Sequence, residues 1–285
     1  MRRIVLPVIV LVGFALVLPS CFKKKPDPEA DKAAIRELVE KDTVHFSGST
    51  SHDSTEGFFA DGDTLVWWWR SAQTHDSAAG INVWVSGDSG FVEWSQHNYG
   101  FFYVLAKRPD TNALELWTKP LVENVSLRAV FFRTGESTDS ARGWQISGIS
   151  LAAGASESTH TVTIDSMNIL SSLRNLTIVD PLNTFFNADT TVTFTPGEHM
   201  TVTLYTNADG GNAFLHTFVL FWPFYLRVPF THQGNGVFVG NWNAPVIPSL
   251  RFAIFDLQSR STIYSSDQPY DFQGWLLPYR IKTAK

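Results

Sequence analysis

Cysteine is almost absent: Cys21 is the only one in 285 residues. No intramolecular disulfide can form, so packed cores must hold the fold even in an oxidising compartment. Charge is also scarce, at 17% of residues, and the net charge is −5. That balance argues against a nucleic-acid partner, which would be marked by a basic patch. There is no H-E-x-x-H pattern and no cysteine pair, so no metal and no cofactor is expected. Tandem repeats and low-complexity tracts are missing. A long apolar run occurs at the N-terminus, Ile4 to Leu18, without a charge. It is shorter than the roughly 20 residues that cross a bilayer. Aromatic residues are plentiful at 14%, and many fall in alternating runs, which favours β structure.

The N-terminus puts Arg2 and Arg3 before the apolar run and Leu18-Pro19-Ser20-Cys21 after it. The first two parts match the n-region and h-region of a secretory signal. The last four residues resemble the lipobox of bacterial lipoproteins. The resemblance implies cleavage between Ser20 and Cys21, acylation of Cys21, and a membrane partner reached through that lipid anchor. Residues 1–20 would be the signal peptide and 21–30 the tether. Lys23, Lys24 and Lys25 would then lie at the headgroups, each adding about 1 kcal/mol on an anionic surface. In Gram-negative families an Asp after the cysteine signals inner-membrane retention, so Phe22 leans towards the outer membrane. A retained hydrophobic anchor is the rival reading of the same segment.

Downstream, "DKAAIRELVEK", Asp31 to Lys41, places Ile35, Leu38 and Val39 on one helical face. A polar stretch containing His52 and Asp53 follows. From Leu65 the hydrophobic period becomes two, through "TLVWWWRS", "INVWVS", "FVEWSQHNYGFFYVLAK", "ALELWTKPLVENVSLRAVFFRTG" and "GWQISGIS". Gly100 suggests a bulge in the second long arm. "AAGASESTHT", Ala152 to Thr161, is small and polar, and a linker is expected over 154–161. Beyond it, short apolar runs separated by Pro196-Gly197, Ala208-Asp209-Gly210-Gly211 and Gly234-Asn235-Gly236 describe a β-sandwich.

The pattern over 31–153, one helix and then long strands around "WWWR" and "VSGDSGFVEWSQ", resembles the α+β cone of the nuclear-transport-factor-like superfamily, also called cystatin-like. That family implies a curved antiparallel sheet around a pocket. The region 162–285 resembles bacterial immunoglobulin-like modules, with "GVFVGNW" as the penultimate strand and Trp242 as its inward anchor. The expected fold is therefore mainly β: a cone-like domain with one clear helix, then an immunoglobulin-like sandwich.

Candidates for chemistry are few. Gly87-Asp88-Ser89-Gly90 repeats the letters around a trypsin-like nucleophile, but a hairpin turn accounts for all four. His52-Asp53 and His75-Asp76 are adjacent pairs in loops. Glu93 and His97 lie four apart on one strand and share a face. If that face lined the cone, Glu93, His97 and Tyr99 would carry isomerase- or hydratase-like chemistry, as relatives of the cone do. "NADGGNAF", Asn207 to Phe214, fails as a calcium loop because Gly211 and Phe218 stand at ligand positions; it reads as a hairpin loop. Trp67, Trp69, Trp84 and Trp94 are candidate ligand-binding residues, since three consecutive tryptophans cannot all enter one core. The leading expectation is a lipid-anchored, non-catalytic envelope protein that binds a ligand or a protein partner. The alternatives are an enzyme in the cone pocket and a glycan-binding surface protein.

Overall fold

A computed structural model describes residues 27–46, 59–61, 64–71, 73–76, 80–107, 113–188, 191–218 and 225–282. Ser20, Cys21, His52 and Asp53 lie outside the described residues.

Helix α1 (Pro28–Lys41) starts before Asp31 because Asp27 caps it and Pro28 occupies its first turn. The Ala30 amide donates to Asp27 Oδ1 at 3.1 Å. The strands of the first half are β1 (Phe59–Asp61), β2 (Thr64–Arg70), β3 (Thr74–His75), β4 (Gly80–Ser86), β5 (Ser89–Lys107), β6 (Leu114–Arg133), β7 (Trp144–Ser150) and β8 (Ala152–Ser156). The second half holds β9 (Ile164–Leu170), β10 (Asn175–Ile178), β11 (Phe185–Asn187), β12 (Val192–Phe194), β13 (His199–Thr206), β14 (Asn212–Phe218), β15 (Tyr225–Pro229), β16 (Thr231–His232), β17 (Val237–Asn243), β18 (Leu250–Gln258) and β19 (Phe272–Ile281). A five-residue helix, α2 (Arg260–Tyr264), lies between the last two strands.

The chain is mainly β, with one clear helix on a curled antiparallel sheet and a second, smaller sheet. Hairpin β5–β6 is its spine. Register runs unbroken from Ser89↔Phe132 to Lys107↔Leu114. No bulge occurs at Gly100 in this pairing. What changes there is the strand on the other side of β5, which is β4 up to Ser95, β3 at Asn98 and Tyr99, and β2 from Phe102. Glycine marks an exchange of neighbours, and the alternation passes straight through it.

The segment expected as a linker starts as strand β8, which pairs β6 on one side and β19 on the other. Its small residues are packing choices: Ala153 lies opposite Trp275, and Gly154 between Val125 and Gly274. Through β8 the sheet runs on into the second half, in the order β1-β2-β5-β6-β8-β19-β18-β14-β15. The final strand, β19, is therefore interior to the sheet.

Strands β18 and β19 are buried on both faces. Phe255, Leu257, Trp275, Leu277 and Tyr279 meet Val202, Leu204, Phe238 and Trp242 of the five-stranded sheet β10-β9-β13-β17-β16, and together they form the sandwich core. Trp242 is buried as the inward anchor, with Phe194 and Tyr279 at 5.1 and 5.0 Å between ring centroids. The opposite faces of β18 and β19 send Ile254 and Leu276 to the core under α1. One pair of strands thus walls two cores, and such doubly buried strands read as continuous apolar runs.

The curl is tight. Arg227, on β15, donates from Nη1 to the Trp68 carbonyl on β2 at 3.0 Å, although these strands are far apart in sheet order. The enclosed face is filled. At one end α1 lays Ile35 and Val39 over Val92, Trp94, Leu127, Phe131 and Trp144. At the other end Val66, Trp68, Phe102, Val104, Phe214, Tyr270 and Phe272 pack together. Each such fully buried apolar side chain contributes about 1.5–3 kcal/mol. Asp31 clamps α1 in place through Arg133, through Arg142 Nε at 2.8 Å and through Trp144 Nε1 at 3.3 Å.

Candidate functional site

Strict alternation along β5 decides where the sequence candidates point. Val92, Trp94, Asn98, Phe102 and Val104 are buried on the enclosed face. Glu93, His97, Tyr99, Phe101 and Tyr103 therefore stand on the outer face, turned away from α1. The suggested cone-lining role of Glu93 and His97 does not hold, because that wall is taken by their neighbours. Glu93 also separates from the group, forming an ion pair with Arg128 at 2.7 Å.

His97 and Tyr99 do meet Asp76. His97 Nδ1 lies 3.2 Å from Asp76 Oδ2, and its Nε2 is 3.9 Å from Glu157. The His97 and Tyr99 rings lie 6.5 Å apart. Partial desolvation, then the charge of Asp76 and a hydrogen bond to it, raise the Tyr99 hydroxyl above its ordinary value. His75 turns its ring to the Asp76 carbonyl at 3.0 Å, so this adjacent pair does not act as a side-chain dyad. The cluster is open to water: the His97 side chain is 39% exposed and that of Asp76 46%. Among the described residues no group of three His, Cys, Asp or Glu side chains could hold a metal ion.

Ser89 ends a tight turn. It pairs with Ser86 across Gly87 and Asp88, and Gly87 has φ +59°. Only glycine takes that conformation without strain. Asn207 and Asp209 likewise show no calcium geometry. Asn207 bonds the backbone at Thr161 and Thr163, and Asp209 pairs with His232 at 3.1 Å. That loop is not a hairpin: it carries the chain from β13 in the small sheet to β14 in the large one.

The tryptophans divide by parity. Trp68 is buried against Phe102 and Phe214, and Trp94 lies under α1 at 4% exposure, out of reach of any ligand. Trp67 and Trp69 stand on the outer face and join a ladder of rings. Trp67 and Trp69 are 5.2 Å apart, Trp69 stacks on Tyr103 at 5.2 Å and 11°, and Tyr103 meets Phe101 at 6.3 Å. Leu114 and Leu116 extend this apolar surface, and with Phe101 they are more than half exposed. Trp84 is exposed on the same face at the other end of the hairpin.

A second polar constellation escaped the sequence reading. Arg70 Nη1 donates to Asp256 Oδ2 at 2.9 Å, and Arg70 Nε to the Tyr270 hydroxyl at 3.0 Å. The Tyr270 hydroxyl in turn donates a hydrogen bond to Glu123 Oε1 at 2.8 Å. His216 Nε2 lies 2.9 Å from the same Asp256 oxygen. The Arg70 guanidinium also sits 4.8 Å from the Phe272 ring centroid and 5.1 Å from Trp68. All of these groups are sealed from water. Burial alone would raise the Asp256 carboxyl, but Arg70 beside it and the hydrogen bond from His216 hold it down at about 2. Burial drives His216 the other way, down to about 4, against the pull of Asp256. The imidazole is therefore neutral near pH 7, with Nε2–H donating. The signal for this centre was in the sequence: Arg70 closes "VWWWR" and Asp256 interrupts "RFAIFDL", at positions whose alternation or apolar setting implies burial.

Arg70 and Glu123 come from the first half, and His216, Asp256 and Tyr270 from the second. The centre can hold the halves together, but no substrate can reach it. A small cleft lined by His45, Leu127, Ile149, Phe252, Leu276 and Pro278 offers about 10 Å³, room for one water. No family model matches the chain, and neither does any curated protein or solved structure.

Proposed function

We propose that this chain is a lipid-anchored cell-envelope protein that works by binding a partner, with the outer ladder of Trp67, Trp69, Phe101 and Tyr103 as its docking face. One observation carries the reading. The described interior is filled by the protein's own aromatic and polar side chains, while an apolar ring surface is left standing on the outside of the central hairpin. Exposed apolar patches of this kind mark interaction sites. Enzymatic chemistry at His97, Tyr99 and Asp76 fits less well, because those groups face bulk water with no walls to exclude it.

A protein partner suits the ladder better than a glycan. Trp69 and Tyr103 lie face to face, so each covers the flat surface on which a sugar ring would stack. Edges and grooves between upright rings accept the side chains of a protein. The anchor reading rests on Leu18, Ser20 and Cys21.

Both parts can be tested in the native envelope. A photo-crosslinking residue in place of Trp69 should give one discrete adduct with a protein, lost when Tyr103 becomes Ser. A crosslinker replacing the exposed Leu173 should give none. Equal labelling from the two positions would refute the docking face. Cys21→Ser should release the chain from the membrane fraction, and full retention would point to an uncleaved hydrophobic segment instead.

A further inference from the structure

The outer face carries a second apolar patch, at the opposite end of the hairpin from the ladder. One row of directly paired residues crosses four strands: Trp84 on β4, Phe91 on β5, Val130 on β6 and Gly148 on β7. Residues paired in this way share a face. Phe132 stands beside the row, and Phe185 lies against Gly148. Trp84, Phe91, Phe132 and Phe185 are 50, 48, 47 and 40% exposed, so none has a partner that buries it within the described chain. The next row distal to the patch is polar, made by Asn82, Glu93 and Arg128. Along β5, at about 3.3 Å per residue, Phe91 of the patch and Tyr103 of the ladder are separated by about 40 Å of strand.

The start of α1 is tied to this same end. Asp31 pairs with Arg133, which is next in sequence to Phe132, and the Arg133 amide donates to the Asp88 carbonyl in the β4–β5 turn at 3.0 Å. Asp27, the cap of α1, is separated from Cys21 by Phe22, three lysines and Pro26. Even fully extended, that stretch reaches no more than about 20 Å. A chain held at Cys21 is thus held by the end that carries Trp84, Phe91 and Phe132, although α1 itself lies on the other face of the sheet.

We infer that Trp84, Phe91, Phe132 and Phe185 form a second membrane contact, which lays the outer face of this end on the surface of the bilayer that holds the anchor. The inference rests on the lipid-anchor reading above. Tryptophan favours the interfacial layer of a bilayer, and phenylalanine adds apolar area to a surface buried there. Stable attachment takes two signals, and a protein surface beside the acyl chains, with Lys23, Lys24 and Lys25 at the headgroups, supplies more than one. The ladder stands on the same outer face, about 40 Å farther along the strands.

The test uses the full chain purified from membranes of an expressing bacterium. It is reconstituted into phosphatidylethanolamine–phosphatidylglycerol vesicles whose acyl chains carry bromine close to the headgroup. Flotation reads the anchor and bromine quenching of tryptophan emission reads the patch. The expected result is that the protein floats and part of its emission is quenched. That quenched part disappears in Trp84→Phe and survives in the Trp67→Phe/Trp69→Phe double variant. Flotation without quenching, or quenching that survives Trp84→Phe, overturns the membrane contact and leaves the anchor standing. Failure to float overturns both.

Discussion

Two of the molecule's histidine–aspartate contacts have opposite character. His216 and Asp256 are sealed, 2.9 Å apart, between Arg70 and the walls of the curled sheet. His97 and Asp76 are 3.2 Å apart on the outer face, in water. The same side chains thus sit in environments that give them different consequences. In the sealed pair every charge must be matched, because an unpaired ion inside has no solvent to fall back on. In the open pair water supplies what the partner does not, and the net attraction is small.

The largest effect should come from breaking the sealed pair. Asp256→Ala leaves Arg70 buried without its main counter-charge and should cost about 3–5 kcal/mol. Asp76→Ala should change stability by less than about 0.5 kcal/mol. Denaturant unfolding of the two variants checks the contrast, and equal losses would erase it.

Acid should sharpen the comparison next. Folded His216 titrates at about 4, against 6.5 for the ordinary side chain. Between those values the unfolded chain takes up the proton more readily, so stability is full above pH 6.5 and falls as pH drops towards 4. The loss is about 3 kcal/mol if the side chain alone is responsible. Asp256, held at about 2 against 3.8, continues the loss below pH 4. His216→Leu should flatten the upper limb of the stability curve, whatever it does to stability at pH 7. An unchanged slope between pH 6.5 and 4 would mean that this imidazole is not the group being charged.

A smaller effect should come from the tyrosine hydroxyls. Tyr270→Phe removes the group that accepts from Arg70 and donates to Glu123, and should cost about 1–3 kcal/mol because both partners stay buried. Tyr99→Phe, on the open cluster, should cost less than about 0.5 kcal/mol. Thermal or denaturant melts distinguish the two.

Much of the fold was legible because local rules were followed. The Ile35 and Val39 stripe marked the face of α1, and alternation through β5 and β6 marked which residues share a side. The hairpin turn at Gly87 followed from the same reasoning, whereas the inward Trp242 followed from the resemblance to immunoglobulin-like modules. The candidate site was legible only in part. His97, Tyr99 and Asp76 do come together, but Glu93 leaves for Arg128, and Trp94 is buried. Parity tells which residues share a face and cannot tell which face another element will cover. The Ala152–Ser156 segment misled for a related reason. Small residues serve a flexible linker and a tightly packed central strand equally well, and only the bulk of Trp275 opposite distinguishes the two.

Composition and pattern by themselves determined that this protein is a β-rich chain without an intramolecular disulfide, with one amphipathic helix and two successive strand-bearing halves. These properties depend on neighbours a few residues apart, which any reader of the chain can see. Tertiary structure alone decided that β18 and β19 are a wall common to two cores, that Arg70 meets Asp256, and that Trp67 and Trp69 face outward while Trp68 is buried. Each of those facts joins residues far apart in sequence through the curl of one sheet. That curl comes from the twist and packing of many strands acting together, which no single stretch encodes.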